Sequence, residues 1–158
     1  MSNTSKPLIR EHLNKEISGV VCLALAVFLL LCFASYDNGD PSFNNNLHPE
    51  VIGNFGGMIG AHLADLLYQV LGLPALLLPL SLVLFDWRLL KFRDPKLRIY
   101  KASAFCAMLF SLDGLIALRF EQVSLFGQPI DEAGGAVGRV LADTLSGYLN
   151  LSGAAIFL

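Results

Sequence analysis

Gly56-Gly57-Met58-Ile59-Gly60-Ala61-His62-Leu63-Ala64-Asp65-Leu66-Leu67-Tyr68-Gln69-Val70-Leu71-Gly72-Leu73 recurs 78 residues further along the chain. The second copy reads Gly134-Gly135-Ala136-Val137-Gly138-Arg139-Val140-Leu141-Ala142-Asp143-Thr144-Leu145-Ser146-Gly147-Tyr148-Leu149-Asn150-Leu151. Nine of the eighteen aligned positions are identical without a gap, among them Gly56/Gly134, Gly57/Gly135, Gly60/Gly138, Ala64/Ala142 and Asp65/Asp143. A fixed-period duplication takes precedence over shorter motifs, because it marks the unit from which the fold is stacked. Both copies lead into apolar sequence, so each reads as the approach to a membrane helix. The expected fold is an all-α membrane protein. It is a four-helix transmembrane region of two like-oriented helical hairpins with interfacial Gly-rich helices, the fourth helix truncated.

Composition points the same way. Of 158 residues, 54% are hydrophobic and only 15% charged, an unusual balance for a soluble domain. Residues 17–36 carry no charge and, at about 1.5 Å per residue, extend about 30 Å, the thickness of a bilayer core. Residues 66–85 are a second uncharged run, but Gly72, Pro74 and Pro79 interrupt it. A helix counted from Gly57 would overrun the hydrocarbon, so a break near Gly72-Leu73-Pro74 is expected. Residues 102–118 form a weaker third span, since Asp113 opposes its insertion by about 3 kcal/mol if central.

Nine of the eleven basic residues lie in residues 1–16 and 88–101. The latter group is Arg88, Lys91, Arg93, Lys96, Arg98 and Lys101. By the positive-inside rule these two segments face the cytoplasm. The resulting plan is a cytoplasmic N-terminal segment at 1–16, a first span at 17–36 and a periplasmic loop at 37–55. An interfacial helix follows at 56–65, then a second span at 66–87, a cytoplasmic basic loop at 88–101 and a third span at 102–118. A periplasmic loop and interfacial helix occupy 119–143, and 144–158 begins a fourth span. By the repeat offset that span extends past Leu158, so the sequence reads as a piece of something longer.

The chemistry-bearing residues are few. Gly56, Gly60 and Ala64, like Gly134, Gly138 and Ala142, recur every fourth residue and share one helix face. With Gly57 and Gly135 they are candidates for close helix packing, which drives association in lipid. A phosphate-binding loop would need a following Lys-Ser or Lys-Thr, and neither copy has one. Asp65 and Asp143 sit where charge gives way to apolar sequence and read as interface anchors or helix caps. His62 suggests a metal or acid–base partner for Asp65, but the second copy has Val140 in its place. Asp113 is the intramembrane polar residue, a functional-site hypothesis by default. It keeps open an alternative reading as a small multi-span transporter or channel subunit. Cys22, Cys32 and Cys106 lie in apolar runs without disulfide or zinc spacing. No catalytic constellation, cofactor-binding motif or metal set is present, so no enzyme activity is expected of this stretch.

One outside loop carries a resemblance. Ser35-Tyr36-Asp37-Asn38-Gly39-Asp40-Pro41-Ser42-Phe43, followed by Asn54-Phe55-Gly56-Gly57-Met58-Ile59-Gly60 and the exit Phe85-Asp86-Trp87-Arg88, resembles the N-terminal four-transmembrane region of bacterial FtsK/SpoIIIE DNA translocases. The resemblance implies a membrane anchor and oligomerisation region, multi-pass in the inner membrane and placed at the division septum. It implies a homo-oligomer, a hexamer in that family, touching other cell-division membrane proteins. It also implies that ATP, Mg and DNA are bound only by downstream domains outside this stretch.

Overall fold

The computed structural model describes residues 5–43, 51–90, 99–125 and 127–158. Lys91, Arg93, Lys96 and Arg98, expected to set topology, lie outside the described residues. The described residues are mostly helical, with one small hairpin and connecting loops. Helix α1 is Ser5–Ala34, α2 is Gly57–Leu71, and a 3-10 turn, Leu73–Leu76, leads into α3, Leu77–Leu90. Helix α4 is Ile99–Arg119, strands β1 and β2 are Val123–Leu125 and Gln128–Ile130, and α5 is Gly135–Phe157.

Two helical segments, Glu16–Ala34 and Ile99–Arg119, are long and apolar enough to cross a bilayer, and Leu73–Trp87 is a shorter apolar helix. Their flanks carry large exposed apolar side chains, including Val20, Val21, Leu80, Leu84, Met108 and Phe110. Such surfaces suit lipid, whose chains are as apolar as the side chains themselves.

The first glycine-rich helix stops at Leu71 for a backbone reason. Gly72 takes φ 59, a left-handed value, and Pro74 in the next turn lacks the amide that a continuing helix would use. The break thus falls at Gly72-Leu73-Pro74, where the glycine and proline predict it, and α2 runs on past the 65/66 boundary drawn between interfacial helix and span. The second copy behaves alike. Helix α5 runs unbroken through Asp143 and Thr144, where the fourth span was expected to start, and kinks at Asn150 with φ 60 and ψ 166. Asn150 is the repeat equivalent of Gly72. The carboxylate marks the end of polar sequence, but only the residue with a positive φ ends the helical ladder.

One small hairpin accompanies the helices. Within 119–143, expected as loop and helix, Val123–Leu125 pairs antiparallel with Gln128–Ile130 in the register Val123↔Ile130 and Leu125↔Gln128. Gly127 closes the turn at φ +85. Ile130 is 5% exposed and joins a cluster with Cys32, Phe33, Ala64, Tyr68 and Ala75, against which Leu125 also packs. Two apolar residues of a short hairpin, Leu125 and Ile130, thus plug the junction between helices. Their spacing is too short to register as a strand pattern in an apolar sequence.

Helix α1 packs along α3, and α4 along α5, while α2 contacts both α1 and α5. Phe33 and Tyr36 meet Tyr68 with ring centroids at 4.9 and 5.0 Å. Each such aromatic pair contributes roughly 0.5–1.5 kcal/mol beyond the area it buries.

Candidate functional site

The two repeat copies open with the same backbone turn. Gly56 has φ −82 and ψ 5, and Gly134 has φ −95 and ψ 5. The glycine that follows is left-handed in both, at φ 62 for Gly57 and φ 64 for Gly135. The Gly57 amide donates to the Asn54 carbonyl at 2.8 Å, and the Gly135 amide to the Glu132 carbonyl at 2.9 Å. The first helical bonds match as well: Gly60 N–H to Gly56 O and Gly138 N–H to Gly134 O, both 3.1 Å. A left-handed second glycine turns the chain from an extended approach into a helix.

Each helix then lies against the apolar helix that precedes it. A Cβ on Gly56 would stand 2.5 Å from Cys32 Sγ, and one on Gly60 would stand 2.8 Å from the same atom while colliding with Asn54 Oδ1. In the second copy, Cβ atoms on Gly134 and Gly138 would both run into the carbonyl oxygen of Asp113. Ala64 is fully buried and Ala142 is 5% exposed. Thus Gly56, Gly60 and Ala64 seat α2 on α1, and Gly134, Gly138 and Ala142 seat α5 on α4. Gly57 differs, because nothing lies within 4 Å of the Cβ it lacks. Its φ, not close packing, excludes a side chain.

The break of the first copy docks on the opening turn of the second. The Leu73 amide donates to the Ala133 carbonyl at 2.9 Å. A Cβ on Gly72 would meet the Gly135 nitrogen at 2.5 Å, and one on Gly135 would meet the Gly72 nitrogen at 2.5 Å. Two glycines without side chains let the backbones touch.

Asp65 is neither a cap nor exposed. The N-cap of α2 is Gly56, with no side-chain bond, and Asp65 lies mid-helix with 7% exposure. It accepts from the Tyr36 hydroxyl at 3.1 Å and from Gln69 Nε2 at 2.6 Å. Tyr36 follows the end of α1, so this bond ties the exit of the first span to α2. Burial, then the Asp65 charge, raises the Tyr36 phenol above its ordinary pKa. Asp143 is exposed, and the second copy has Gly147 where the first has Gln69. The two aspartates match in sequence but not in surroundings.

The polar centre of the loop between α1 and α2 is Asn54 with Asp40, neither of which the sequence marked as a candidate site residue. Asn54 is 4% exposed. Its Nδ2 donates to the carbonyls of Cys32 at 2.9 Å and Ser35 at 3.4 Å, and its Oδ1 accepts from the Gly56 amide at 2.9 Å. Asp40, 5% exposed, accepts from the Gly53 and Asn54 amides, both at 2.8 Å. Asn54 thereby supplies partners for the free carbonyls at the end of α1 and for a free amide at the start of α2. The available signal was a single Asn two residues before a Gly-Gly pair, with an Asp-Pro loop upstream.

Asp113 is fully buried on α4, and neither carboxylate oxygen has a hydrogen-bond partner. His62 Nδ1 pairs with the Met58 carbonyl at 2.8 Å, and its ring stands edge-on to Phe43, so it does not join Asp65. Among the described residues, no three His, Cys, Asp or Glu side chains gather as a metal site would require.

Residues 11–158 match the 4TM region of DNA translocase FtsK/SpoIIIE. The chain belongs to this family. It is 31% identical to DNA translocase FtsK of Pseudomonas putida, over 95% of this chain and 19% of the relative. DNA translocase FtsK of Vibrio vulnificus is 30% identical over 91% of the chain, and that of Shewanella oneidensis 25% over 88%. The chain spans 15–20% of the length of these and similar relatives. No solved structure matches it.

For an FtsK/SpoIIIE membrane region, the turns and faces above are the chemistry on offer: backbone docking and buried polar ties. The matched stretch is the membrane region and not the ATPase motor. Of the basic residues expected to set topology, Arg88 lies in α3 and Lys101 is exposed near the start of α4. Arg139, outside that group, pairs with Glu132 at 2.7 Å, but at 60% and 28% exposure the pair contributes little.

Proposed function

We propose that this chain is the membrane anchor and oligomerisation region of a septal DNA translocase that acts in cell division and chromosome segregation. In this reading it crosses the inner membrane as two like-oriented hairpins. Residues 1–16 and 88–101 are cytoplasmic, and 37–55 and 119–143 periplasmic. The glycine faces are the helix-packing surfaces, and the basic residues from Arg88 to Lys101 hold the topology. A homo-oligomer of these regions, hexameric as in the resembled family, gathers the downstream motors and meets other division membrane proteins. ATP, Mg and DNA belong to those motors.

The doubled glycine turn carries this reading. Each copy seats its helix on the apolar helix before it, α2 on α1 and α5 on α4, which builds the same unit twice in one orientation. Such a unit holds spans together. The channel alternative rests on Asp113, whose full burial without a polar partner counts against a conduction path.

A fluorescent fusion of residues 1–158 tests the reading in dividing cells. Midcell bands are expected, and an even membrane signal would overturn the septal assignment. Thiol labelling of Lys101→Cys from the cytoplasmic side only is expected in the same cells. Labelling from outside would invert the topology.

A further inference from the structure

The internal docking of the two copies leaves one half of the same joint open at each end. Within the chain, the break of copy one, Gly72-Leu73, seats on the opening turn of copy two, Ala133 to Gly135. The corresponding break of copy two is Asn150-Leu151, and the corresponding opening turn of copy one is Phe55 to Gly57. Both are bare. Phe55 is 75% exposed where its equivalent Ala133 is 1% exposed. Gly57 has nothing within 4 Å of its missing Cβ, where Gly135 touches the Val70 carbonyl and the Gly72 amide. Leu151 is 58% exposed and Tyr148, the equivalent of Val70, is 86% exposed.

The backbone at the open break is also set as it would be in a joint. Asn150 holds φ 60 and ψ 166, a conformation that is strained for a non-glycine residue. The Leu151 amide, whose equivalent Leu73 donates to Ala133, donates instead to the Asn150 side-chain oxygen at 2.8 Å. The Asn side chain thus occupies the position of the missing carbonyl. On α2, which follows the open turn, Met58, Ile59, His62 and Leu66 line an apolar groove with Phe43.

We propose that copies of this chain associate head to tail, the Asn150-Leu151 break of one seating on the Phe55–Gly57 turn of the next, continuing the Gly72–Gly135 interface already present inside each chain. The occupant is a second copy because the only surface known to fit such a break is the opening turn of this same repeat. An interface between two different patches is heterologous, and it generates a ring when its rotation closes. On docking, the Leu151 amide passes from its own Asn150 side chain to the Phe55 carbonyl of the next copy. The inference rests on the self-association proposed above and assigns the surfaces for it.

The test is disulfide trapping of the full chain in membranes, with Cys22 and Cys106 replaced by Ala and the buried Cys32 kept. Leu73→Cys with Ala133→Cys is the positive control, forming a bond within one chain. Phe55→Cys combined with Leu151→Cys is expected to give a ladder of covalent multimers under oxidation. Co-expressed single variants are expected to give dimers and nothing larger, and each single variant alone no multimer. A second exposed pair, Met58→Cys with Tyr148→Cys, is expected to repeat the ladder. Self-dimers of either single variant would overturn the proposal in favour of a two-fold interface. Bonds to a different protein would overturn it in favour of another partner. Multimers seen by amine cross-linking without a disulfide ladder would overturn the docking but leave self-association standing, whereas monomers by both methods would overturn both.

Discussion

The carbonyl oxygen of Asp113 lies against Gly138, at a separation that no side chain at 138 would tolerate. The contact is backbone against backbone, so neither partner has a flexible end to move aside. Gly138→Ala is therefore expected to lower stability by about 1–3 kcal/mol through overpacking of α4 against α5. Gly147 lies on the same helix with nothing within 4 Å. Gly147→Ala should leave stability unchanged or raise it by up to about 1 kcal/mol through helix propensity. Thermal unfolding in detergent, followed by circular dichroism, separates the two. Equal effects would deny that the glycine face is a packing surface.

Removing the Tyr36 hydroxyl should loosen the tie between α1 and α2. Tyr36→Phe is expected to destabilise by about 1 kcal/mol, the net worth of one hydrogen bond. The pH dependence follows from the raised phenol pKa. The folded chain keeps the proton more tightly than the unfolded chain, whose phenol titrates near the ordinary value of 10.0. This contribution is fully present below pH 10.0 and is lost as pH climbs through the folded pKa. Ultraviolet difference titration against Tyr36→Phe isolates this phenol. Asp65→Asn should bring its ionisation downward, though not to 10.0, since burial remains. No change on that substitution would remove Asp65 from the tie.

Asn54→Ala should unfasten the outside loop from both helices. Three side-chain bonds are lost and the carbonyls of Cys32 and Ser35 lose a donor, which together destabilise by about 2–3 kcal/mol. Limited proteolysis between Tyr36 and Phe55 should accelerate, while the α4–α5 pair stays resistant. Unaltered cleavage would mean that Asn54 does not organise the loop.

Asp113→Leu should improve insertion of α4 on its own. The insertion scale assigns a central aspartate a penalty of about 3 kcal/mol and leucine a gain of about 0.5 kcal/mol. With no hydrogen bond to lose, the folded region should also gain stability. A glycosylation-mapped insertion assay on the isolated segment reads the first effect, and detergent melting the second. A fall in melting temperature would show that the carboxylate has a structural partner.

Much of the architecture was legible because lipid imposes simple requirements on a chain. An uncharged run of the right length and a repeat of glycines at fourfold spacing need no neighbours to be recognised. Places where the linear pattern misled share one feature. Asp65 and Asp143 occupy identical repeat positions, yet one is buried between Tyr36 and Gln69 and the other faces out. A side chain's surroundings are supplied by residues distant in sequence, and a repeat does not duplicate those. The Val123–Ile130 hairpin escaped notice for a related reason: three-residue strands carry too little periodicity, and Ile130 acquires its role only from the cluster it enters.

Sequence alone determined that the chain is a membrane region, that a stretch of it occurs twice, and that the small residues of each copy share one helix face. These follow from hydrophobic length and local conformational freedom, which are properties of short stretches. Tertiary structure decided what the buried polar groups bind and which half of each joint is used. The left-handed φ at Gly72 and Asn150 is a local act, but only packing shows that Gly72 is docked on Ala133 and Gly135 while Asn150 stands open.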